Sequence, residues 1–263
     1  MIMNLKDLCS SLVELSESVG KFLQEEASKS IDIELKSLNN LVSYVDKEAE
    51  KRFVDGLQKL LPEAGFIAEE GTGVRHKNAP NWIIDPLDGT TNFLHGIPFY
   101  CTSVALLVDD EVVLGVIHDP VHQHSFYAYK GGGAFLNGNP ISCTSNKELS
   151  EALLATGFPY DDFGKQDAYL EVLKDFTHKT RGLRRLGSAA MDLAYVAWGK
   201  FDGFYEYGLN PWDVAAGIII VQEAGGKVSA FKENASPLFH EEILATNEGI
   251  HENMLKVINT YFN

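Results

Sequence analysis

Residues 82–93 read WIIDPLDGTTNF and carry the strongest structural signal in the chain. The apolar run at 82–84 predicts a buried strand that ends at Asp85. Asp88 follows after a proline turn, at a point where a helix could begin. Residues 89–91 would then supply amides and hydroxyls that bind an anion, beside two carboxylates, which are hard oxygen ligands for a cation. The stretch therefore indicates a site for a metal ion and a phosphate together.

Each acid also has a simpler structural interpretation. Asp88 can cap a helix and Asp85 can stabilise a turn, and for either acid alone that interpretation is the better one. The pair, placed after an apolar strand, favours a metal site. Asp213 follows Pro211 in the first turn of a predicted helix, where an acid complements the helix dipole. The chain has neither the GxxxxGKS/T phosphate loop nor the ligand spacing of an EF-hand, so both of those sites are excluded.

Strand and helix patterns predict an α+β or α/β protein with two halves. β-branched and aromatic runs over 103–108, 112–117 and 125–129 predict an antiparallel meander in the first half. Strands that alternate with helices predict an α/β layer arrangement in the second half. We expect an N-terminal α+β domain with an antiparallel sheet over 1–147 and a C-terminal α/β domain over 148–263.

The region before the first strand is predicted as two helices with a loop between them. Leucines and other apolar residues over 5–22 recur at helical spacing, and a second helix is predicted over 45–61. Ser43 and Asp46 resemble a capping box at the start of that helix. Residues 28–40 are polar and weakly patterned, and they are predicted to form a mobile loop.

Composition limits the partners of the protein. The 263 residues carry a formal net charge of −15, which repels nucleic acids and anionic membranes. An anionic substrate would need a metal ion or a local basic patch. The three cysteines are widely spaced, which disfavours structural zinc and a disulfide framework. The N-terminus does not resemble a signal peptide, and a cytoplasmic location without membrane or nucleic-acid partners is expected.

Five motifs together resemble the inositol monophosphatase family. Residues 82–98 are similar to its first signature, and residues 210–217 with 223–226 are similar to its second. Three shorter blocks, at 66–71, 187–190 and 202–206, match as well. The resemblance covers nearly the whole chain in the order of the family. It implies a layered αβαβα sandwich of the inositol monophosphatase and fructose-1,6-bisphosphatase type, and a homodimer.

The resemblance also implies roles for single residues, with most of the metal ligands in the N-terminal domain and a metal and substrate site that the C-terminal domain completes. Two or three Mg²⁺ ions per subunit would be bound, and the implied metal ligands are Glu69, Asp85, the Leu87 carbonyl, Asp88 and Asp213. Asp85 would bridge two ions, and a third, weaker ion would lie near Glu69. The implied catalytic residues are Glu69, Thr90 and Asp46, with Thr90 and Asp46 orienting the attacking water. The implied substrate contacts are Gly89, Thr90, Thr91, Gly187, Ser188, Ala189, Glu206 and Asp213.

The substrate stays open between several phosphate esters. Family likeness favours hydrolysis of inositol 1-phosphate with breadth that includes the 2′-phosphate of NADP(H), because residues 157–160 and Arg184-Arg185 would form a wider, more cationic pocket. Fructose-1,6-bisphosphatase and 3′-phosphoadenosine-phosphate phosphatase are the alternatives, and a regulatory protein on the same fold is the alternative without catalysis. Lithium is expected to inhibit. Asn40, which stands where the family usually has Asp, removes one charge near the third ion.

Overall fold

The computed structural model describes residues 4–29, 35–158, 164–232 and 236–262, with the backbone alone for residues 35–43. The helices are α1 (Leu5–Ala27), α2 (Leu35–Leu60), α3 (Thr90–Leu94), α4 (Gln166–Lys179), α5 (Ala189–Ala197), α6 (Pro211–Glu223) and α7 (His251–Ile258). The strands are β1 (Gly65–Ala68), β2 (Asn81–Asp88), β3 (Cys101–Val108), β4 (Glu111–Asp119), β5 (His124–Tyr129), β6 (Gly133–Leu136), β7 (Asn139–Ile141), β8 (Leu153–Thr156), β9 (Gly182–Arg184), β10 (Gly203–Tyr207), β11 (Gly226–Ser229) and β12 (Glu242–Asn247). None of these helices is both long enough and apolar enough to cross a membrane.

The described strands form two sheets. The first sheet has the order β1-β2-β3-β4-β5-β6-β7, with β1 and β2 parallel and the other neighbours antiparallel. The second has the order β11-β12-β10-β8-β9, in which β8 is parallel to both of its neighbours. The antiparallel meander predicted over residues 103–129 is confirmed as β3, β4 and β5.

Apolar cores join the helices and sheets into five layers. Helices α1 and α2 pack on one face of the first sheet. Helices α5 and α6 lie between the two sheets and contact both. Helices α4 and α7 pack on the second sheet. The predicted αβαβα sandwich is therefore confirmed.

Strand β3 is buried on both faces because each face meets a different helical layer. Val104 and Leu106 enter the core with α1 and α2, whereas Ala105 and Leu107 enter the core with α5 and α6. Successive side chains of a strand point to opposite faces. A strand in this position therefore needs a continuous apolar run rather than alternation.

Gly115 on β4 lies where α6 crosses the first sheet. A Cβ at this position would come within 2.8 Å of the Ala216 Cα, and backbone cannot move away easily. We expect Gly115→Ala to lower the free energy of unfolding by about 1–3 kcal/mol, measured by urea denaturation. Gly182→Ala on the edge strand β9 is the matched control, because its nearest neighbour would be 3.5 Å away. Equal losses in the two variants would contradict the close approach of helix and sheet.

Two predictions about the N-terminal region are wrong. The loop predicted over 28–40 ends earlier, because α2 begins at Leu35. Leucines at 35, 38 and 41 have helical spacing, a signal that the polar residues between them obscure. The predicted capping box also fails, since Ser43 and Asp46 lie inside α2. The side chains of Asn40 and Ser43, and the residues 159–160, lie outside the described part of the chain.

The predicted domain boundary falls between the two sheets. Strand β7 ends at Ile141 and β8 begins at Leu153, so residue 147 lies in the connection. The apolar core between the two sheets, however, contains buried residues of both halves, from Ile83 to Ala245. The division into domains 1–147 and 148–263 therefore stays a prediction.

Candidate active site

A pocket of about 260 Å³ opens at the end of β2. Strand β2 supplies Asp85 and Asp88, and the segment after β1 supplies Glu69. The second half of the chain supplies Glu206 from β10 and Asp213 from α6. The other expected metal or substrate contacts that line the same pocket are Leu87, Gly89, Thr90, Thr91, Gly187, Ser188 and Ala189. The chain thus brings together site residues that are widely separated in the sequence.

Parallel pairing of β1 with β2 places the first two carboxylates side by side. Ala68 pairs with Ile84, so Glu69 and Asp85 both leave the same end of the sheet. The Glu69 main-chain N–H donates to the Ile84 carbonyl at 3.3 Å, which extends the pairing by one residue. The pairing of the two strands is therefore enough to bring Glu69 and Asp85 together.

The turn after Asp85 brings the next acid to the same pocket. The Leu87 N–H donates to Asp85 Oδ1 at 3.0 Å. Pairing between β2 and β3 is irregular between Asp85 and Asp88. Strict alternation would place residues three apart on opposite faces, and an irregularity of this kind redirects a side chain. Both acids consequently face the pocket.

Asp88 connects the first sheet to α5. Its Oδ2 accepts hydrogen bonds from the Ser188 hydroxyl and from the Ala190 N–H, both at 2.7 Å. Ser188 is the N-cap of α5, and its Oγ accepts from the Met191 N–H at 3.3 Å. A carboxylate at the positive end of a helix is favourable. The contact joins residues 100 positions apart in the chain.

Asp213 has two roles at the start of α6. Its Oδ2 accepts a hydrogen bond from the Asn210 N–H at 2.7 Å. This is the helix-stabilising role that a first-turn acid can have. The same side chain also lines the pocket. The structural interpretation and the site interpretation of Asp213 are therefore compatible.

Burial and mutual repulsion raise the pKa values of the clustered acids. The pKa of Glu69 rises to about 7, with burial as the main cause, and that of Asp213 rises to about 7 through burial and the charge of Asp88. Burial, followed by the charges of Glu69, Asp88 and Asp213, holds the pKa of Asp85 well above its usual value. Glu69 and Asp85 are hydrogen-bonded to each other. A shared proton there removes a repulsion of roughly 4 kcal/mol at about 4 Å and a dielectric near 20.

Helix α2 carries a second group of buried acids, which lies next to Glu69. Asp46 is 6% exposed, and its Oδ1 has no hydrogen-bond partner among the described residues. Burial and the charge of Glu69 raise the pKa of Asp46 to about 7. Glu50 is fully buried and accepts hydrogen bonds from the N–H groups of Glu70 and Thr72, both at 2.8 Å. Glu50 was not predicted from the sequence, although its i, i+4 spacing from Asp46 places both on one helix face.

Glu50→Gln tests how firmly the segment after Glu69 is held. The amide nitrogen of Gln would face one of the two N–H donors and leave it unpaired. We expect the free energy of unfolding to fall by about 1–3 kcal/mol, measured by chemical denaturation. Glu48→Gln is the matched control, because Glu48 forms a partly exposed ion pair with Arg52, which contributes about 0–1 kcal/mol. A loss no larger than that of the control would contradict the structural role of Glu50.

The helix that begins beside the pocket is short. Helix α3 has five residues, and Gly89 at φ +92° precedes it. A helix this short provides a few N–H donors at its start but no strong macrodipole. The Thr90 hydroxyl donates to the Leu87 carbonyl at 2.9 Å. Among the hydrogen bonds that the structure describes, none joins Thr90 to Asp46, so the expected pairing of these two residues stays a prediction.

The donor set of the pocket suits Mg²⁺. Carboxylate and carbonyl oxygens are hard ligands, which this ion prefers over sulfur and imidazole. The acids raise each other's pKa, so a divalent cation would relieve their repulsion. As the side chains stand, no three His, Cys, Asp or Glu residues in the described part of the chain are arranged to hold one ion. Binding would therefore require rotation of side chains within the pocket.

The side of the pocket that contains Glu206 includes a basic residue as well as acids. An added Cβ at Gly157 would overlap the Glu206 carboxylate, so only glycine leaves room for it. Burial raises the pKa of Glu206 to about 8, although Arg185 opposes the shift. The Arg185 guanidinium carbon lies 5.8 Å from the centroid of the Phe158 ring. Arg185 lines the pocket as predicted, whereas Arg184 is not among the described residues that line it and is exposed instead. Asp192, which also lines the pocket, was not predicted from the sequence.

The layered fold is shared with known proteins. A sequence model of the inositol monophosphatase family matches residues 4–262. An inositol-1-monophosphatase of Rhizobium meliloti is 39% identical over 254 residues, which cover 95% of this chain and 96% of that protein. The Nus factor SuhB of Pseudomonas aeruginosa is 41% identical over 237 residues, which cover 87% of this chain and 86% of that protein.

A solved structure gives the same result at the level of the fold. The inositol monophosphatase of Anabaena (Nostoc) superposes with a TM-score of 0.89 and 37% sequence identity, and the match covers 98% of each chain. The chain therefore belongs to the inositol monophosphatase family. Membership in this family implies phosphatase activity.

Proposed function

We propose that the protein is a magnesium-dependent phosphomonoesterase that hydrolyses inositol 1-phosphate, with breadth that includes the 2′-phosphate of NADP(H). The observation that carries the proposal is the convergence of Glu69, Asp85, Asp88 and Asp213 on one pocket beside the start of α3. These acids would repel an anionic phosphate, so cations must mediate its binding. Family membership supports the same reaction class, and the family generally uses Mg²⁺.

The clustered acids are proposed to hold the ions. The ligands would be Glu69, Asp85, the Leu87 carbonyl, Asp88 and Asp213, with Asp85 shared between two ions and a third ion near Glu69. When bound, Mg²⁺ supplies Lewis-acid stabilisation of the attacking and leaving oxygens of an in-line displacement.

The remaining residues are proposed to position the reactants. Thr90 and Asp46 would orient the attacking water, and the lack of a hydrogen-bond partner for Asp46 Oδ1 among the described residues supports this role. Orientation of this kind contributes up to about 7–11 kcal/mol of the barrier reduction. The N–H groups of residues 89–91 would contact the phosphate. The proposed contacts of the alcohol portion are Gly187, Ser188, Ala189 and Glu206.

A panel of phosphate monoesters tests the substrate assignment. Phosphate release would be measured with Mg²⁺ from inositol 1-phosphate, NADP, fructose 1,6-bisphosphate and 3′-phosphoadenosine phosphate. We expect the highest kcat/KM for inositol 1-phosphate and measurable release from NADP. Asp88→Asn serves as the blank. If no ester released phosphate faster with the wild-type protein than with this variant, the enzymatic proposal would be wrong.

Lithium inhibition, a homodimer and a cytoplasmic location belong to the same proposal. Lithium is expected to inhibit by replacing one Mg²⁺, which a lithium titration at fixed Mg²⁺ would measure. A homodimer is expected, and sedimentation analysis would show its mass. The cytoplasmic location stays a prediction that cell fractionation can test.

A regulatory role is the second candidate, and the relative named as the Nus factor SuhB favours it. The formal charge of −15 disfavours direct contact with nucleic acid, so a protein partner is the better expectation. Complementation of a deletion strain separates the two roles. Rescue by an inactive Asp85→Asn variant would support regulation, whereas rescue by the wild-type protein alone would support catalysis.

A further inference from the structure

Asp192 is an acid in an otherwise apolar helix. Helix α5 reads AAMDLAYVA, and its other buried residues are Ala, Met, Leu and Val. Asp192 is 1% exposed and lines the pocket. Its Oδ1 has no hydrogen-bond partner among the described residues. Burial of a polar atom without a partner destabilises a fold, so the position calls for an explanation.

Capping of α5 does not explain Asp192. The first-turn N–H groups of this helix already have other acceptors, because the Ala190 N–H donates to Asp88 and the Met191 N–H donates to Ser188. The Asp192 N–H itself donates to the Ser188 carbonyl at 3.0 Å. The Asp192 carboxyl group is therefore not needed to complete the helix start.

The groups around Asp192 form a wall of alternating charge. Burial is the main cause of the raised pKa of Asp192. The charges of Glu206 and Asp88 raise it further, whereas Arg185 lowers it. A Cβ on Gly187 would lie 2.7 Å from Arg185 Nη1, so the guanidinium is packed close against the backbone at this glycine. The wall thus offers carboxyl oxygens as acceptors and one guanidinium as a donor.

We propose that Asp192 is a specificity-determining residue that accepts a hydrogen bond from a hydroxyl group of the polyol portion of a phosphate monoester. The inference rests on the proposed function, because it assigns the side of the pocket that holds the alcohol. Neighbouring hydroxyls of a polyol both donate and accept hydrogen bonds, which matches two acids beside a guanidinium.

The buried position of Oδ1 is compatible with this role. The terminal torsion of Asp has a broad minimum, so a small rotation brings a carboxyl oxygen to the pocket surface. A site built to bind a hydroxyl discriminates strongly against substrates that lack it, because its polar groups are then left unpaired. The Asp192 Oδ1, which has no hydrogen-bond partner among the described residues, is suited to a site of this kind.

The test compares two substrates in three proteins. The kcat/KM ratio of myo-inositol 1-phosphate to p-nitrophenyl phosphate, whose alcohol portion carries no further hydroxyl group, would be measured for wild type, Asp192→Ala and Asp192→Asn. We expect the ratio to fall about tenfold in Asp192→Ala, mainly through KM, which corresponds to about 1.4 kcal/mol. Asp192→Asn keeps an acceptor oxygen and should recover most of the ratio. Asp55→Ala, an exposed acid on α2, is the matched control and should keep the wild-type ratio.

Thermal unfolding separates recognition from structure. Removal of a carboxyl group with an unpaired buried oxygen should leave the Tm of Asp192→Ala no lower than that of wild type. A lower Tm with an unchanged substrate ratio would show a structural role and overturn the proposal.

A binding measurement makes the test independent of turnover. Calorimetric titration of myo-inositol 1-phosphate, with Ca²⁺ in place of Mg²⁺, should give about tenfold weaker binding to Asp192→Ala than to wild type. Equal affinities would overturn the role of Asp192, whatever the catalytic result. If wild type hydrolysed neither ester, the phosphatase proposal would fail, and the calorimetric comparison would still decide the role of Asp192.

Discussion

Asp85→Asn is expected to lower kcat for inositol 1-phosphate by about 10³-fold or more at saturating Mg²⁺. Asp85 is 2% exposed, and the charges of Glu69, Asp88 and Asp213 all act on it. The substitution keeps the shape of the side chain but removes the charge that is proposed to be shared between two ions. Release of phosphate, measured with purified protein, gives the result directly.

A matched control separates this effect from a general change in charge. Asp110→Asn lies in the turn between β3 and β4, where the side chain is 86% exposed. Residue 110 has φ +60°, a conformation that Asn tolerates. This variant should keep the wild-type kcat. A loss of less than about tenfold in Asp85→Asn, or about 1.4 kcal/mol, would contradict the central position of Asp85.

Removal of divalent cations is expected to make stability depend on pH in an unusual direction. Glu69, Asp213 and Asp46 have pKa values of about 7 in the folded protein, well above the values of about 4 in an unfolded chain. Between these values the folded protein holds protons that the unfolded chain has released. Raising the pH through this window therefore favours unfolding.

Thermal unfolding in EDTA measures this dependence. Each pKa unit corresponds to about 1.4 kcal/mol, and 1 kcal/mol moves Tm by about 2–4 °C in a chain of this size. We expect Tm to fall by about 5 °C or more between about pH 5 and pH 8 without metal. Addition of Mg²⁺ at the upper pH should restore Tm, because the cation replaces the protons. If the metal-free Tm did not depend on pH and Mg²⁺ had no effect on it, the proposal that these acids repel one another and bind a cation would be wrong.

The motif at residues 82–93 predicts more than its own conformation. An apolar run that ends in Asp85 can only be a buried strand or a buried helix, and the proline after it favours the strand. The β-branched run at 112–117 predicts β4 for the same reason, since such side chains pack well on a pleated surface. Asp213 could be placed in a helix start from Pro211 alone, but its position beside Asp85 came from family resemblance.

Other features depend on tertiary contacts that a local pattern does not contain. The start of α2 at Leu35 was missed because the polar residues among its leucines resemble a loop. Glu50 looks like any charged residue of a helix until the turn at Glu70 and Thr72 is placed against it. Asp192 resembles a helix-capping acid, and only the satisfied N–H groups around it show otherwise.

Crystallography with Mn²⁺ in place of Mg²⁺ tests the central proposal most directly, because the anomalous signal locates the ions. We predict peaks bounded by the carboxyl groups of Asp85, Asp88 and Asp213 and by those of Glu69 and Asp85, at ligand distances of about 2.0–2.3 Å. The carboxyl groups of these acids should have rotated toward the ions. Peaks found only elsewhere, or no peak between these acids at saturating Mn²⁺, would contradict it.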